Sequence, residues 1–354
     1  WVPGLVKDIN SGSDDSYPNQ LTAVGNTLYF EASDGFYGFE LWKSDGTAAG
    51  TVMVKDINSG SNSYLGYLTA VGNTLYFSGD DGINGRELWK SDGTASGTVM
   101  VKDINSGSGY SAPSYLTAIG NTLYFRATDG TNGYELWKSD GTASGTVMVK
   151  DINSGSSSSS PGYLTAVGNT LYFSATDGTN GQELWKSDGT TAGTVMVKDI
   201  NSGSGSSGPS YFTAVGNTLF FRADDGTTGV ELWKSDGTNF GTVGIKDINS
   251  GVSSSDPEEL TVVGNTLYFR TDDGINGDEL WKSDGTASGT MMVKEINSGS
   301  DDSYPNQLTA VGNTLYFRAN DGTNGYELWK SDGTANGTMM VKDINIGNLS
   351  SMAL

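Results

Sequence analysis

The 354-residue chain contains neither cysteine nor histidine. Without cysteine, disulfide bonds, thiolate nucleophiles and cysteine-ligated zinc are all excluded, and the redox compartment stays undetermined. Without histidine, the commonest transition-metal ligand and the commonest acid/base catalyst are also absent. The usual transition-metal sites and histidine-based acid/base catalysis are therefore excluded.

Positive charge is also scarce, with 20 Lys and Arg residues against 41 Asp and Glu residues and a formal net charge of -21. Such a chain is repelled by phosphate backbones and by anionic lipids. No apolar run approaches the roughly 18 residues of a membrane-spanning helix, and the amino-terminal Trp-Val-Pro-Gly does not resemble a signal region. We expect no nucleic-acid partner and no membrane insertion, in a chain that is either mature or a fragment.

The chain is rich in internal repetition. The octapeptide ELWKSDGT begins at seven positions, namely Glu40, Glu87, Glu135, Glu183, Glu231, Glu279 and Glu327. A period of about 40 to 50 residues is typical of repeat architectures in which each copy packs against its neighbours. We expect a single domain over 1–354. Its approximate repeats are 11–58, 59–105, 106–153, 154–201, 202–249, 250–297 and 298–345, with 1–10 as a surplus outer strand.

One repeat contains four extended runs rich in β-branched and aromatic residues. In the copy at 116–153 these runs are Leu116–Ile119, Thr122–Ala127, Tyr134–Ser139 and Thr146–Ile152. Gly-Asn and Asp-Gly segments separate them, which is typical of hairpin turns. No window has apolar residues at helical spacing. The pattern predicts an all-β fold, a seven-bladed β-propeller of four-stranded antiparallel blades.

Eight VKDIN-like segments are available for only seven blades. Val6–Ile9 and Met339–Ile344 compete for the outer position of the last blade. Loop-closure entropy favours Met339–Ile344, because a short hairpin connects it to that blade. Val6–Ile9 is then expected to form a fifth strand at that edge or to join a neighbouring molecule, which makes strand-mediated self-association an expected partner interaction.

The ELWKSDGT core, the preceding LTAVGNTLYF and the following GTVMVKDIN closely resemble the bacterial ELWxxDGT repeat family, also described as hyalin-like. The resemblance covers nearly the whole chain. It implies a secreted or cell-surface bacterial protein, commonly a large modular one, with no established enzymatic activity attached to the repeat.

One tryptophan recurs in every repeat and has two interpretations. Exposed rings stack on sugars, whereas a large apolar side chain repeated once per blade packs between adjacent sheets, and packing is the simpler interpretation. The residues are Trp42, Trp89, Trp137, Trp185, Trp233, Trp281 and Trp329.

Two acidic turns also recur, and each combines Asp with Gly. Their oxygen atoms suit calcium, which takes six to eight oxygen ligands; Asp-Gly is equally the ordinary hairpin dipeptide, and turn chemistry is favoured. No cofactor is expected apart from this calcium alternative. The candidate calcium or ligand turns contain Asp34, Asp81, Asp129, Asp177, Asp225, Asp273 and Asp321. The second set is Asp45, Asp92, Asp140, Asp188, Asp236, Asp284 and Asp332.

The basic residues fall into two groups. Every lysine belongs to the repeat, so regular cross-strand ion pairs with the equally regular acids are expected, each contributing roughly 0 to 1 kcal/mol. The arginines occur in only some of the repeats. They are therefore better suited to modify the charge of one surface than to form a pocket common to all blades. They are Arg86, Arg126, Arg222, Arg270 and Arg318.

Catalysis needs a unique constellation of groups, whereas nearly every polar residue here recurs seven times. We therefore expect a non-enzymatic extracellular binding or scaffold propeller, an adhesion module of a larger surface protein, with a protein or glycan partner at the cell surface. The alternative is a multivalent lectin with equivalent weak sites between blades, which act together by avidity.

Overall fold

A computed structural model describes residues 4–344. Within that range it contains 28 strands and no helix, and so none that could span a bilayer. The strands form seven four-stranded sheets, each made of four consecutive strands paired in chain order. The predicted fold class is confirmed: all-β, with the seven four-stranded antiparallel blades of a β-propeller. Residues 1–3 of the surplus segment and residue 345 of the last predicted repeat lie outside the described residues.

The four strands of each blade have nearly constant lengths. The first strands are β1 (Asn19–Val24), β5 (Gly66–Val71), β9 (Ser114–Ile119), β13 (Gly162–Val167), β17 (Ser210–Val215), β21 (Glu258–Val263) and β25 (Asn306–Val311). The second are β2 (Thr27–Ser33), β6 (Thr74–Asp80), β10 (Thr122–Thr128), β14 (Thr170–Thr176), β18 (Thr218–Asp224), β22 (Thr266–Asp272) and β26 (Thr314–Asn320). The third are β3 (Phe39–Ser44), β7 (Arg86–Ser91), β11 (Tyr134–Ser139), β15 (Gln182–Ser187), β19 (Val230–Ser235), β23 (Asp278–Ser283) and β27 (Tyr326–Ser331). The fourth are β4 (Val52–Lys55), β8 (Val99–Lys102), β12 (Val147–Lys150), β16 (Val195–Lys198), β20 (Val243–Lys246), β24 (Met291–Lys294) and β28 (Met339–Lys342).

The fourth strand is shorter than the sequence pattern predicts. In blade 3 it ends at Lys150, whereas the predicted run extends to Ile152. The reason is a competing hydrogen bond: the Ile152 N–H donates to the Glu135 carboxylate at 2.9 Å. A buried acceptor on the third strand thus draws the chain out of the sheet after Lys150.

The chain divides into two compact units, residues 1–178 with 187–194, and residues 179–186 with 195–354. In the first unit, Val24 and Leu41 of blade 1 share an apolar cluster with Phe77 and Trp89 of blade 2. In the second unit, an equivalent cluster joins blades 5 and 6 and includes Trp281. Burying such a side chain contributes roughly 1.5 to 3 kcal/mol, so each blade is stabilised by its neighbours within the unit.

The two VKDIN-like segments at the ends of the chain differ in structure. The carboxyl-terminal one forms β28 and pairs with β27, as its short connection favours. Residues 4–18 contain no strand, so the expected fifth strand is wrong for this segment. It lies instead against blade 1, where Ile9 contacts the cluster of Phe30 and Trp42 and Lys7 donates to the Thr51 carbonyl at 2.7 Å.

Candidate functional site

The glutamate of ELWKSDGT anchors the connector that follows each blade. Glu87 is fully buried and accepts hydrogen bonds from the Ile104 N–H at 2.9 Å and the Ser111 hydroxyl at 2.6 Å. Burial raises the pKa of Glu87 to about 7, against the lowering effect of these donors. It likewise raises the pKa of Glu40 to about 8. This carboxylate is therefore a structural acceptor, although sequence reasoning assigned it to surface ion pairs.

The seven predicted tryptophans, Trp42 to Trp329, are only 5 to 6% exposed. Trp89 packs against Tyr29 and Leu41 of blade 1, and the Lys55 ammonium lies 5.7 Å from the centre of its ring. Such a cation–π contact adds about 0.5 to 2 kcal/mol. These positions leave no open ring face on which a sugar could stack.

The hydrogen bonds that the structure gives for the repeat lysines are to main-chain carbonyls, and not to the carboxylates expected from the sequence. The Lys43 charge still acts on Asp92, whose pKa is lowered by the Thr94 hydrogen bonds and, to a smaller extent, by this lysine. Lys43 donates to the main-chain carbonyl of Gly93 at 2.8 Å, and Lys55 donates to that of Thr98 at 2.8 Å. Both acceptors lie in the next blade. A lysine at these positions therefore links successive blades, because its long stem reaches a main-chain carbonyl of the next blade.

Main-chain and hydroxyl donors occupy the carboxylates of the acidic turns. In the DGT turn, Asp92 accepts from the N–H and the hydroxyl of Thr94 at 2.8 and 2.7 Å, and these bonds lower the pKa of Asp92. In the other turn, six aspartates accept from the two residues that complete it: Asp34, Asp81, Asp129, Asp225, Asp273 and Asp321. Asp177 occupies the corresponding turn of blade 4. Across residues 4–344, no three acidic side chains gather as a metal site would require.

Aromatic side chains are exposed at a position that varies between repeats. Tyr67, Tyr115 and Tyr163 stand at the same place in the first strands of blades 2 to 4, and each is 38 to 47% exposed. Their ring centres are 6.1 and 6.4 Å apart in succession. We call these three residues the tyrosine ladder.

The backbone of the tyrosine ladder is strained. The three φ angles are 57, 54 and 55°, in the left-handed region that costs an L residue roughly 1 to 2 kcal/mol. A bulge in the first strand imposes this conformation, since its register with β10 shifts beside Tyr115. The same conformation occurs at this position in the other blades, with φ between 55 and 58° at Gln20, Tyr211, Glu259 and Gln307, so the strain belongs to the repeated bulge. The ladder was not predicted from the sequence. The available signal was that one position of the first strand varies between repeats while its neighbours are nearly constant. The residues at this position are Gln20, Tyr67, Tyr115, Tyr163, Tyr211, Glu259 and Gln307.

A cavity of about 280 Å³ opens between Tyr67 and Tyr115. We call it the arginine pocket, because Arg86 and Arg126 line it together with Tyr134, and the small residues 112–114 form its wall. No acidic residue is among its lining side chains. The guanidinium carbon of Arg126 lies 4.5 Å from the centre of the Tyr134 ring. Its Nε atom is buried without a hydrogen-bond partner.

The corresponding place in the second unit carries the opposite charge. Arg270, three repeats after Arg126, pairs with Glu258 and lies 3.8 Å from Asp278. Arg222 pairs with Glu258 at 3.1 Å. Glu259 stands where the first unit has Tyr115. Arg222 and Arg270 also lie near tyrosine rings, those of Tyr211 and Tyr304. The two regions therefore differ in the acids that pair with their arginines, since no acid lines the arginine pocket.

No family model and no curated protein matches the sequence. Among solved structures, the chain is similar to the computationally designed Ika8 protein, with a TM-score of 0.52, 16% identity and coverage of 95% of this chain and 91% of that one. It is also similar to a structure from a study of two prolyl endopeptidases, with a TM-score of 0.53, 12% identity and coverage of 92% and 49%. A puromycin hydrolase mutant (S511A) complexed with PGG gives a TM-score of 0.48 at 15% identity, with coverage of 95% and 55%. The chain spans about half the length of these hydrolytic enzymes. At such identities the likeness shows the fold alone.

Proposed function

We propose that this chain is a non-enzymatic, extracellular binding propeller, an adhesion module of a bacterial surface protein, and that its ligand is a glycan held along the tyrosine ladder. One observation carries the proposal: three exposed tyrosine rings recur at one position in successive blades, with centres 6.1 and 6.4 Å apart. The extracellular setting follows from the resemblance of the repeat to the ELWxxDGT family.

A glycan suits the ladder because both are repetitive. Each blade adds one ring about 6 Å from the last, so an extended polymer meets the same contact at successive units. Tyrosine combines an apolar face with a polar hydroxyl, as does a sugar ring. A stable protein interface needs about 1,200 to 2,000 Å² with an apolar centre, whereas the ladder is a row only one ring wide.

The non-enzymatic part rests on how the acidic side chains are used. The repeat glutamates receive connector amides and serine hydroxyls, and the turn aspartates receive turn amides. Glu40, Glu87 and Glu135 are also fully buried, and an acid that no substrate can approach is poorly placed to exchange a proton with one. The lining of the arginine pocket adds no carboxylate.

A glycan array followed by titration of the best ligand tests this function. Tyr115→Ala should weaken binding about fivefold or more, since one stacked ring contributes on the order of 1 kcal/mol or more. Gln307→Ala, at the same position of blade 7, is the matched control and should bind like the parent. If the parent binds no glycan, or if Tyr115→Ala binds as well as the parent, the proposal is wrong.

A second candidate function is that of a scaffold that self-associates. The exposed apolar residues of blade 7 favour it. Its Val311, Val341 and Ile344 are 60, 46 and 60% exposed. The equivalent residues of blade 1, Val24, Val54 and Ile57, are buried in the cluster that includes Trp89 of blade 2. A further blade of the same repeat type, from a second copy, would cover the blade 7 face in the same way. Sedimentation should then show concentration-dependent association that Val341→Lys abolishes; a monomer at every concentration would contradict it.

A further inference from the structure

We propose that the arginine pocket binds the carboxylate of a sugar acid within the glycan, an extension that rests on the proposed function. The chain carries twice as many acidic as basic residues, yet this cavity is lined by Arg86 and Arg126 and by no acid. The Arg86 charge also acts on the buried Glu31 carboxylate outside the cavity, so Arg126 is the cation that the pocket leaves for a ligand. A cation in an acid-free lining beside exposed aromatic rings is suited to recognise an anionic ring.

The orientation of Arg126 suits a carboxylate. Its guanidinium carbon lies 4.5 Å from the centre of the Tyr134 ring, and a planar guanidinium can donate two parallel N–H bonds to a carboxylate. The Nε atom has no acceptor within the protein, and a buried donor without a partner costs about 1 to 3 kcal/mol. A ligand carboxylate in the pocket would accept charge-assisted bonds from the terminal N–H groups of the same guanidinium.

Other blades lack one part of this combination. In blade 4, Ser174 and Gln182 stand in place of arginine and tyrosine. In blades 5 and 6, the Glu258 carboxylate already forms ion pairs with Arg222 and Arg270. Blade 7 keeps Arg318 over a tyrosine ring but has Gln307 at the ladder position. Within the described chain, an arginine in an acid-free lining and the ladder coincide at blades 2 and 3.

The net charge restricts the ligand further. A chain of charge -21 repels a densely charged polyanion at long range, whereas one carboxylate between neutral units avoids most of that repulsion. The pocket therefore fits a glycan in which sugar acids are spaced by neutral sugars.

Calorimetric titration with a matched pair of ligands tests this. The first is a trisaccharide with one glucuronate between two neutral sugars, and the second is its methyl ester, which keeps the shape and removes the charge. The parent should bind the acid at least about tenfold more tightly than the ester, the effect of roughly one charge-assisted bond. Arg126→Gln should bind both alike, while Arg222→Gln, whose guanidinium is already neutralised, should keep the preference.

The possible results separate this inference from the proposed function. If the parent binds acid and ester equally and Tyr115→Ala loses both, the ladder binds glycans and the carboxylate assignment is wrong. If neither trisaccharide binds and the array is also blank, both fail. Melting curves confirm that Arg126→Gln is folded; should it unfold, the acid and ester titrations of the parent still test the inference.

Discussion

Blades 2–3 and blades 5–6 both carry arginines on the same four-stranded framework, but the acidic residues around those arginines differ. Arg126 faces tyrosine rings, whereas Arg270, at the same place three repeats later, is paired with Glu258. Strand bounds, turns and the buried glutamate are the same in both regions. A few variable residues on a constant scaffold therefore decide whether a region can recognise an anion.

The comparison also separates two kinds of conservation within the chain. Residues that recur in every repeat are used for architecture: the tryptophan is buried, the glutamate anchors a connector, and the lysine reaches the next blade. Residues that vary, such as Tyr115 and Arg126, remain available for a ligand. The predictions below test this division.

The largest effect is expected for a constant residue. Trp137→Ala should lower the free energy of unfolding by about 3 to 5 kcal/mol, because a large side chain at 5% exposure leaves a cavity between blades 2 and 3. Tyr115→Ala should cost much less, since its ring is exposed. Urea titrations of both variants measure this. Equal costs would contradict the division between scaffold and surface.

Glu87→Ala should destabilise the protein by about 2 to 4 kcal/mol, because the Ile104 amide and the Ser111 hydroxyl lose their acceptor. Glu87→Gln, which keeps an acceptor oxygen, is the matched control and should cost less. If both substitutions are neutral in urea titrations, the connector is held by other contacts.

The buried glutamates also predict an unusual pH dependence. The pKa of Glu87 is about 7 in the folded state, against an ordinary value of 4.5. Between these values the folded state binds more protons than the unfolded state, so stability rises as pH falls from 7 towards 4.5. The turn aspartates, whose pKa values are lowered, lose their contribution only in stronger acid. Melting curves should therefore peak near pH 4.5 to 5, and Glu87→Gln should flatten the slope; a maximum above pH 7 would contradict this.

A smaller effect is expected from backbone strain in the ladder. Tyr115→Gly should be about 1 kcal/mol more stable than Tyr115→Ala, because glycine adopts a φ of 54° without the steric cost paid by alanine. Both variants should lose the glycan. The reverse order of stability would show that the bulge relaxes when the ring is removed.

Calcium is expected to have the smallest effect. The turn carboxylates are occupied by amide and hydroxyl donors of their own turns, so excess chelator should leave the melting temperature unchanged. A chelator-dependent fall would restore the calcium alternative, because an ion bound only to the folded state stabilises it.

Periodicity predicted the fold class and the strands of each repeat, because the apolar residues of the buried face and the turn residues recur in every copy. Burial of the repeat glutamate was not predictable from that pattern, since a regular acid next to regular lysines equally favours a surface ion pair. The ladder was missed for another reason: the φ of Tyr115 depends on a bulge that local propensity does not reveal. Whether an arginine is neutralised depends on which variable residues the fold brings beside it, as the contrast of Arg126 with Arg270 shows.

The most direct test transfers the arginine pocket to the second unit. The variant Arg222→Ser, Val230→Arg, Asp256→Ala, Glu258→Ser, Glu259→Tyr and Asp278→Tyr gives blades 5 and 6 the pocket side chains found at blades 2 and 3. Titration calorimetry with the glucuronate trisaccharide should give one site per chain for the parent and two for this variant. A folded variant that still binds one ligand would contradict the claim that these variable residues make the site.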